Sequence, residues 1–292
     1  MKTIIQPKQA VFQSSTGEKI FYRNWKSENP QSLVVIVHGL NSHSGYYQNF
    51  AATLAAQNHE VVALDLRGRG KSEGERFFIG DYQLIIDDID KLVDIAKSLH
   101  PTLPVFLLGH SAGGVFASVY ALQHQQKLNG LISESFAFHV PAPAFAQALL
   151  KFMATVAPHK QLIQLNNADF SRNLQVVAQM NSDPLIAGEK QPAKTMQQLI
   201  VAGKQLGENM AHLKLPLLIL HGTADKATLP SGSEYFLANA TSTHKLLKLY
   251  EGHYHDLLND DESEVVIQDI LDWLQQRIQI GAYSSKAVEQ VY

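Results

Sequence analysis

The chain has 292 residues, of which 45% are hydrophobic and 17% are charged, and its net charge is −3. This composition is that of a globular protein with one large domain or one domain carrying an insertion, and it lacks the basic excess of a nucleic-acid-binding protein. The chain has no cysteine, which excludes disulfides and thiolate metal sites. Residues 1–13 do not form a secretory signal, and no apolar run approaches the roughly 18 residues of a membrane span. We therefore expect a cytoplasmic protein that is at most peripheral at a membrane.

Strands and helices alternate along most of the chain. Short apolar runs predict strands at residues 19–25, 33–37, 61–64, 105–108, 131–133, 217–220 and 246–249. Three- and four-residue periodicity predicts helices at residues 46–57, 81–99 (capped by Asp81), 112–126, 231–238 and 265–277. Buried strands that alternate with helices indicate an α/β fold, a mostly parallel central sheet with helices on both faces.

The alternation stops between residues 136 and 212, where the pattern is helical and no strand is convincing. This block reads as a helical insertion between two strands of the sheet. We assign residues 1–134 and 213–292 to the core domain and residues 135–212 to a helical cap.

Ligands of such a sheet bind beyond the carboxyl ends of its strands. Gly109-His110-Ser111-Ala112-Gly113 follows one predicted strand and opens a helix. This is a G-x-S-x-G elbow, in which glycines let the backbone approach closely and the helix N-terminus stabilises a developing oxyanion. Ser111 is therefore the candidate nucleophile.

A nucleophilic serine needs a base and an acid that orients the base. Asp225 follows the strand at 217–220, and His253 and His255 both follow the strand at 246–249. The order serine, acid, histidine is that of the α/β-hydrolases. The two-residue spacing leaves both histidines open as the base, because both would point to the same side of an extended segment.

The loop after the strand at 33–37 reads His38-Gly39-Leu40. An oxyanion hole needs two backbone donors, and we assign them to the N–H groups of Leu40 and Ala112. His38 is interpreted as a structural hydrogen-bonding residue of this loop.

Two other patterns raise the question of a phosphate site or a metal site. The stretch at residues 65–76, DLRGRGKSEGER, lacks the spacing of a phosphate loop and is interpreted as a tight turn in which Asp65 pairs with nearby arginines. The chain has 13 histidines, but none belongs to a recognisable metal motif. The hypothesis is an enzyme without metal or organic cofactor.

Several longer motifs carry a family resemblance: VIVHGLNSHSGYY, the stretch at 65–76, PVFLLGHSAGG, SRNLQ with NSDPLI in the cap, LLILHGTADK and YEGHYHDLL. With them the chain resembles the monoacylglycerol lipases and bacterial lysophospholipases of the α/β-hydrolase superfamily, the serine aminopeptidase S33-like or hydrolase 4 group. The resemblance covers nearly the whole chain.

The resemblance implies that Ser111 is the nucleophile, Asp225 the acid and His255 the base, and that a mobile cap covers a hydrophobic acyl tunnel. It also implies substrate contacts at His110, Tyr46, Met180 and Leu258. Of these, only His110 keeps the residue type found in animal monoacylglycerol lipases, which argues against a strict preference for monoacylglycerol.

The hypothesis is thus a serine hydrolase that cleaves esters of medium or long acyl chains. Its partner is a small acyl ester or lipid, and the apolar stretch at 141–158 lines an acyl channel or makes transient contact with a membrane surface. Two alternatives stay open. One is a proline-type aminopeptidase or a thioesterase on the same fold, the peptidase using Glu189 or Glu208 to hold a free amine; the other is a non-catalytic ligand-binding protein.

Overall fold

The computed structural model describes residues 5–140 and 144–289, so residues 141–143, where the apolar stretch of the cap begins, lie outside the described residues. Its central sheet has eight strands in the order β1-β2-β4-β3-β5-β6-β9-β10. The bounds are β1 Lys8–Gln13, β2 Lys19–Trp25, β3 Ser32–Val37, β4 His59–Leu64, β5 Val105–His110, β6 Gly130–Glu134, β9 Leu217–Gly222 and β10 Lys245–Tyr250. Strand β2 is antiparallel to both neighbours, and the six strands from β4 to β10 run parallel. The predicted mostly parallel sheet is confirmed.

Helices cover both faces of the sheet, and the alternation of side chains along β3 explains why. Leu33, Val35 and Val37 pack on one face, with α2 (Gln83–Leu99), α3 (Ala112–Gln123) and α7 (Pro230–Asn239). Val34 and Ile36 point to the other face, with α1 (Gln48–Ala56) and α8 (Ser263–Glu289). A strand buried on both faces cannot alternate apolar with polar residues, which is why it reads as a continuous apolar run.

The segment between β6 and β9 contains α4 (Ala144–Val156), β7 (Gln161–Ile163), α5 (Leu174–Ser182), β8 (Gln191–Pro192) and α6 (Ala193–Asn209). Helix α6 packs on the core through Leu199, Ala202 and Leu206. The expectation that this segment has no strand is wrong, because β7 and β8 form a short antiparallel ladder. Strands of three and two residues are too short to show a two-residue period, and one of them contains a proline.

Several other elements also differ from the expectations. Strand β1 was not predicted; it is a mostly exposed edge strand, so no buried run marks it. A 3-10 turn at Ser44–Tyr47 precedes α1, and α8 extends to Glu289. Helix α2 begins at Gln83 with Tyr82 as its N-cap residue, so Asp81 lies one residue before the cap. Its Oδ1 still accepts a hydrogen bond from the first helical amide, Gln83 N, at 2.9 Å. Within residues 5–140 and 144–289, no helix is long and apolar enough to cross a membrane.

Candidate active site

The nucleophile elbow joins β5 to α3. Ser111 has φ 55° and ψ −122°, a backbone conformation that side-chain-bearing residues rarely adopt. Its N–H donates to Glu134 O of β6 at 2.9 Å. A Cβ at Gly113 would lie 2.3 Å from Val37 O, and one at Gly109 would lie 2.5 Å from Gly113 O. Both glycines are therefore required by the close approach of α3 to the strands, which places a strained serine at the carboxyl edge of the sheet.

Asp225 and His255 come together across 30 residues of chain. His255 Nδ1 lies 2.8 Å from Asp225 Oδ2, and both side chains are buried. Thr228 N and Ala227 N donate to the other carboxylate oxygen at 2.9 and 2.8 Å, and His221 Nε2 lies 3.1 Å from Asp225 Oδ2.

These partners keep Asp225 ionised. Burial by itself raises the pKa of Asp225, but the charge of His255 and the hydrogen bonds from His221, His255 and Thr228 lower it well below its ordinary range. A carboxylate that stays charged can orient His255 and stabilise its protonated form. Among the described residues, the Ser111 hydroxyl makes no hydrogen bond to His255; such bonds are often long until substrate is bound.

The structure separates the two histidines that spacing alone leaves equivalent. His253 Nδ1 lies 3.8 Å from Asp260 Oδ2, and its Nε2 lies 3.6 Å from Glu262 Oε2. Burial and the nearby Arg172 lower the pKa of His253, opposed by these acidic groups. His253 therefore faces the start of α8, and His255 faces Asp225.

The loop that carries Leu40 lies directly against the elbow. A Cβ at Gly39 would lie 2.8 Å from Ser111 Cβ, so only glycine lets the two backbones come this close. His38 Nε2 accepts from Leu66 N at 2.9 Å, and its Nδ1 lies 2.7 Å from Gly39 O. His38 thus ties the loop to the turn after β4, in agreement with its interpretation as a structural residue. Leu40 follows Gly39 in this loop and Ala112 follows Ser111 in the elbow, and their role as oxyanion donors stays a prediction.

The four predicted substrate contacts lie in different surroundings. The ring of His110 lies 4.8 Å from that of His255, with the two planes tilted by 49°, and burial together with His255 lowers the pKa of His110 well below the ordinary value. Tyr46 Oη donates to Asp183 Oδ2 of the cap at 3.0 Å. Met180 packs in a small buried cluster with Tyr46, and Leu258 packs in the core on the α1 and α8 face. Contact of any of them with substrate stays a prediction.

Phe170 of the cap was missed by the sequence analysis. Its ring stands edge-on to His255 at 5.0 Å, and its carbonyl accepts from Asp256 N at 2.8 Å. Its only signal in the sequence is its position beside the SRNLQ motif, because one aromatic residue in a helical block has no distinguishing pattern.

The arginines of the stretch at 65–76 do not pair as expected. Asp65 pairs with Arg23 of β2 at 3.4 Å. Arg67 pairs with Asp88 of α2 at 2.9 Å, and Arg69 pairs with Glu189 of the cap at 3.3 Å. The expectation that Asp65 pairs with its sequence neighbours is wrong, because the tight turn directs these arginines toward other elements.

One group among the described residues could hold a cation: His110, Glu134 and Asp256, whose ligand atoms lie within 4.8 Å of one another. All three side chains are buried. Burial raises the pKa of Asp256 to about 6, and burial and the charge of Asp256 raise that of Glu134, although the amides of Leu257 and Leu258 lie near enough to lower it. Neither oxygen of Glu134 has a hydrogen bond of ordinary geometry, so a retained proton is the simplest way for this pair to stay buried.

A large apolar cavity has a volume of about 990 Å³, and Ser111, Asp225 and His255 are not among the described residues that line it. It begins at Ala137, whose N–H donates to Ser111 O at 3.0 Å, and it lies between the cap helices α4 and α6 and the start of α7. The lining residues include Phe138, Leu150, Met153, Met196, Leu199 and Gly203.

A mostly parallel eight-stranded sheet with a strained serine between a strand and a helix is the architecture of the α/β-hydrolases. Within that class, the family described as serine aminopeptidase, S33 matches residues 28–262. The chain belongs to this family, and the resemblance seen in its motifs is confirmed.

Relatives with named activities cover almost the whole chain. A monoacylglycerol lipase of Mycolicibacterium smegmatis is 32% identical over 261 residues, which make up 88% of this chain and 93% of that protein. The human monoglyceride lipase is 34% identical over 271 residues, 90% of this chain and 89% of that protein. The crystal structure of a monoacylglycerol lipase from Paleococcus ferrophilus superposes with a TM-score of 0.79 at 28% identity, covering 93% of this chain and 99% of that one.

Proposed function

We propose that the protein is a serine esterase for esters of medium or long acyl chains with a small alcohol part, as a monoacylglycerol lipase, lysophospholipase or carboxylesterase. Its lipase and esterase relatives indicate a carboxylic ester hydrolase. The observation that carries the choice of acyl chain is the apolar cavity of about 990 Å³, whose lining reaches Ala137, the residue hydrogen-bonded to the backbone carbonyl of Ser111. Such a cavity favours a substrate with a long apolar part, because each buried methylene contributes about 0.8 kcal/mol.

The proposed reaction uses the residues at the carboxyl edge of the sheet. His255, oriented by Asp225, accepts the Ser111 proton as the serine attacks the ester carbonyl. The N–H groups of Leu40 and Ala112 hold the tetrahedral oxyanion. The alcohol leaves with the proton from His255, and water repeats the cycle on the acyl-enzyme.

The aminopeptidase alternative is not favoured by the cap acids. A peptidase must hold the free amine of its substrate with an unpaired carboxylate. Glu189 is buried and paired with Arg69 at 3.3 Å, and Glu208 lies 3.8 Å from Lys204 with 63% of its side chain exposed. Neither is therefore a desolvated, free acid in the cavity. A thioesterase would use the same residues, and thioesters belong in the substrate panel.

The outer face of α4 supports a membrane contact of the cap, here residues 135–212. Leu149, Phe152 and Val156 are 57%, 61% and 59% exposed, and their spacing of three and four residues places them on one side of the helix. Leu149 also lines the cavity, together with Leu150 and Met153 on the adjoining flank of the helix. A helix whose apolar residues are exposed on one flank and line the cavity on the next can lie between a lipid surface and an acyl cavity.

The experiment is a kcat/KM panel with p-nitrophenyl esters from acetyl to dodecanoyl, followed by monoacylglycerols, lysophospholipids and acyl thioesters. We expect kcat/KM to rise with chain length by up to about fourfold per methylene. Equal or better turnover of the acetyl than of the decanoyl ester would overturn the proposal. Failure of a fluorophosphonate probe to label Ser111 would favour the non-catalytic alternative.

Two variants of α6 test whether the cavity holds the chain. A Cβ at Gly203 would have only Phe138 as a neighbour, at 4.0 Å, so Gly203→Leu should fill the cavity and shift the optimum to shorter esters. Val201→Leu adds volume to the same helix at a position that is 41% exposed and outside the cavity. The control should keep the wild-type optimum.

A further inference from the structure

Asn41, the residue after Leu40, is held by three residues of the cap. Its N–H donates to Glu189 Oε1 at 3.1 Å, and its Nδ2 donates to Asn167 Oδ1 at 3.1 Å. Gln191 Nε2 donates to Asn41 Oδ1 at 3.4 Å. Asn41 has φ 50° and is buried. The cap thus holds the backbone of Asn41 in the left-handed region of φ and ψ.

Glu189 lies at the centre of these contacts between the cap and Asn41, and its carboxylate is buried. Its Oε1 lies 3.3 Å from Arg69 Nε and also accepts from Gln191 Nε2 at 2.8 Å. Arg69 in turn donates to Gln191 Oε1 at 2.9 Å and to Phe77 O at 3.1 Å. The side chains of Glu189 and Arg69 are each 1% exposed. Burial lowers the pKa of Arg69, and Glu189 opposes that shift.

The contacts at Asn41 are linked to Ser111 through the backbone of the loop at residues 38–41. At Gly39, the loop at residues 38–41 lies so close to Ser111 that an added Cβ would be 2.8 Å from Ser111 Cβ. His38 ties the same loop to the core. The cap supplies the opposing anchor at Asn41. A peptide held at both ends fixes the direction of the N–H group between them, and an oxyanion donor must point correctly before the reaction begins.

We propose that Glu189 is a positioning residue that sets the oxyanion loop from the cap, with Arg69 as the counter-ion that keeps its charge buried. This inference rests on the proposed function for the role of Leu40. It means that the cap does more than cover the acyl chain: on this side it completes the oxyanion hole, and moving the cap edge at residues 189–191 away would misalign the donor.

The test compares two double variants that share the loss of the ion pair. Arg69→Met with Glu189→Gln keeps an acceptor for Asn41 N–H, whereas Arg69→Met with Glu189→Leu removes it. We expect the Leu variant to lose about tenfold in kcat relative to the Gln variant, with KM within about twofold, since removing one donor outright costs about 100- to 1,000-fold. Affinity for a trifluoromethyl ketone, which also needs the hole, should fall by the same factor as kcat. Equal kcat in both double variants would overturn the proposal.

If the Arg69→Met background does not fold, two single variants answer the same question. Glu189→Asp keeps the charge but withdraws the acceptor by one methylene, and Glu189→Gln keeps the acceptor but removes the charge. If Glu189 positions the loop, Glu189→Asp should have the lower kcat. If only the ion pair matters, Glu189→Gln should have the lower kcat. Asp169→Asn, which removes a partly buried acid elsewhere in the cap, is the matched control and should keep kcat within about twofold, the range of a surface change.

Amide hydrogen exchange separates this inference from the proposed function. The exchange of Asn41 N–H should speed up in the Leu double variant and not in the Gln double variant, whatever the substrate is. An inactive wild-type protein would count against the esterase, whereas unchanged exchange of Asn41 in an active protein would count against the role of Glu189.

Discussion

The ring of Phe170 stands edge-on to the imidazole of His255, with centroids 5.0 Å apart and planes at 88°. One residue belongs to the cap and the other to the loop after β10. The adjacent backbone is also joined, because Asp256 N donates to Phe170 O at 2.8 Å. The cap therefore packs on the proposed base as well as on the loop at residues 38–41, and cap packing and catalysis should not be separable on this side of the molecule.

Shortening Phe170 should affect both stability and turnover. Phe170 is buried in a small cluster with Tyr46, Met180 and Ile186, so Phe170→Ala should cost about 3–5 kcal/mol of local stability and lower kcat by loosening His255. Urea unfolding and kcat on a soluble ester measure the two effects. Phe152→Ala, on a side chain that is 61% exposed, should change the unfolding free energy by less than about 0.5 kcal/mol. A fully active, stable Phe170→Ala enzyme would contradict the coupling.

Mutation of each histidine should distinguish the base from its neighbour. His255→Ala should lower kcat by at least about a thousandfold, because triad members act as a unit. His253→Ala should keep most of the activity, since His253 faces Asp260 and Glu262, and should lower the thermal midpoint by a few degrees. Steady-state kinetics with p-nitrophenyl decanoate measure the first effect, and thermal unfolding measures the second. The reverse ranking would transfer the role of base to His253 and leave Ser111 and Asp225 in place.

The buried carboxyl of Asp256 should make the free energy of unfolding depend on pH. Its pKa rises from 3.8 to about 6 in the folded protein, so the folded state binds more protons between these values. Its contribution to the free energy of unfolding is therefore present at low pH and lost as pH rises from about 4 to about 6. Asp256→Asn removes that loss. The free energy of unfolding of the variant minus that of the wild type should therefore increase from about pH 4 to about pH 6 and stay constant above it.

Urea unfolding at several pH values from 4.5 to 8 measures this difference, in which the titration of groups remote from Asp256 cancels. Glu134 contributes with the same sign, because the charge of Asp256 raises its pKa. Asp272→Asn, on the exposed side of α8, is the matched control and should give a flat difference. A flat difference for Asp256→Asn as well would show that its carboxyl stays ionised in the folded protein.

The core of the fold was predictable because its signals are local. Continuous apolar runs identified the parallel strands, and the elbow glycines identified the turn at Ser111. The exposed edge strand β1 and the ladder of β7 with β8 were not predictable, because a short or exposed strand is defined by its partner rather than by its own pattern. The same reason explains Arg67 and Arg69, whose acids lie in α2 and in the cap.

The sequence by itself determined the class of chemistry: a serine on an elbow, an acid and a histidine each placed after a strand, and motifs of one hydrolase family. Only the tertiary structure decided which histidine faces Asp225, where each arginine finds its acid, and that the cap contacts both the loop at residues 38–41 and the ring of His255. The physical reason is that these relationships are contacts between residues 21 to 148 positions apart. Short-range spacing constrains which way a side chain faces, but the packing of the whole chain decides what it meets there.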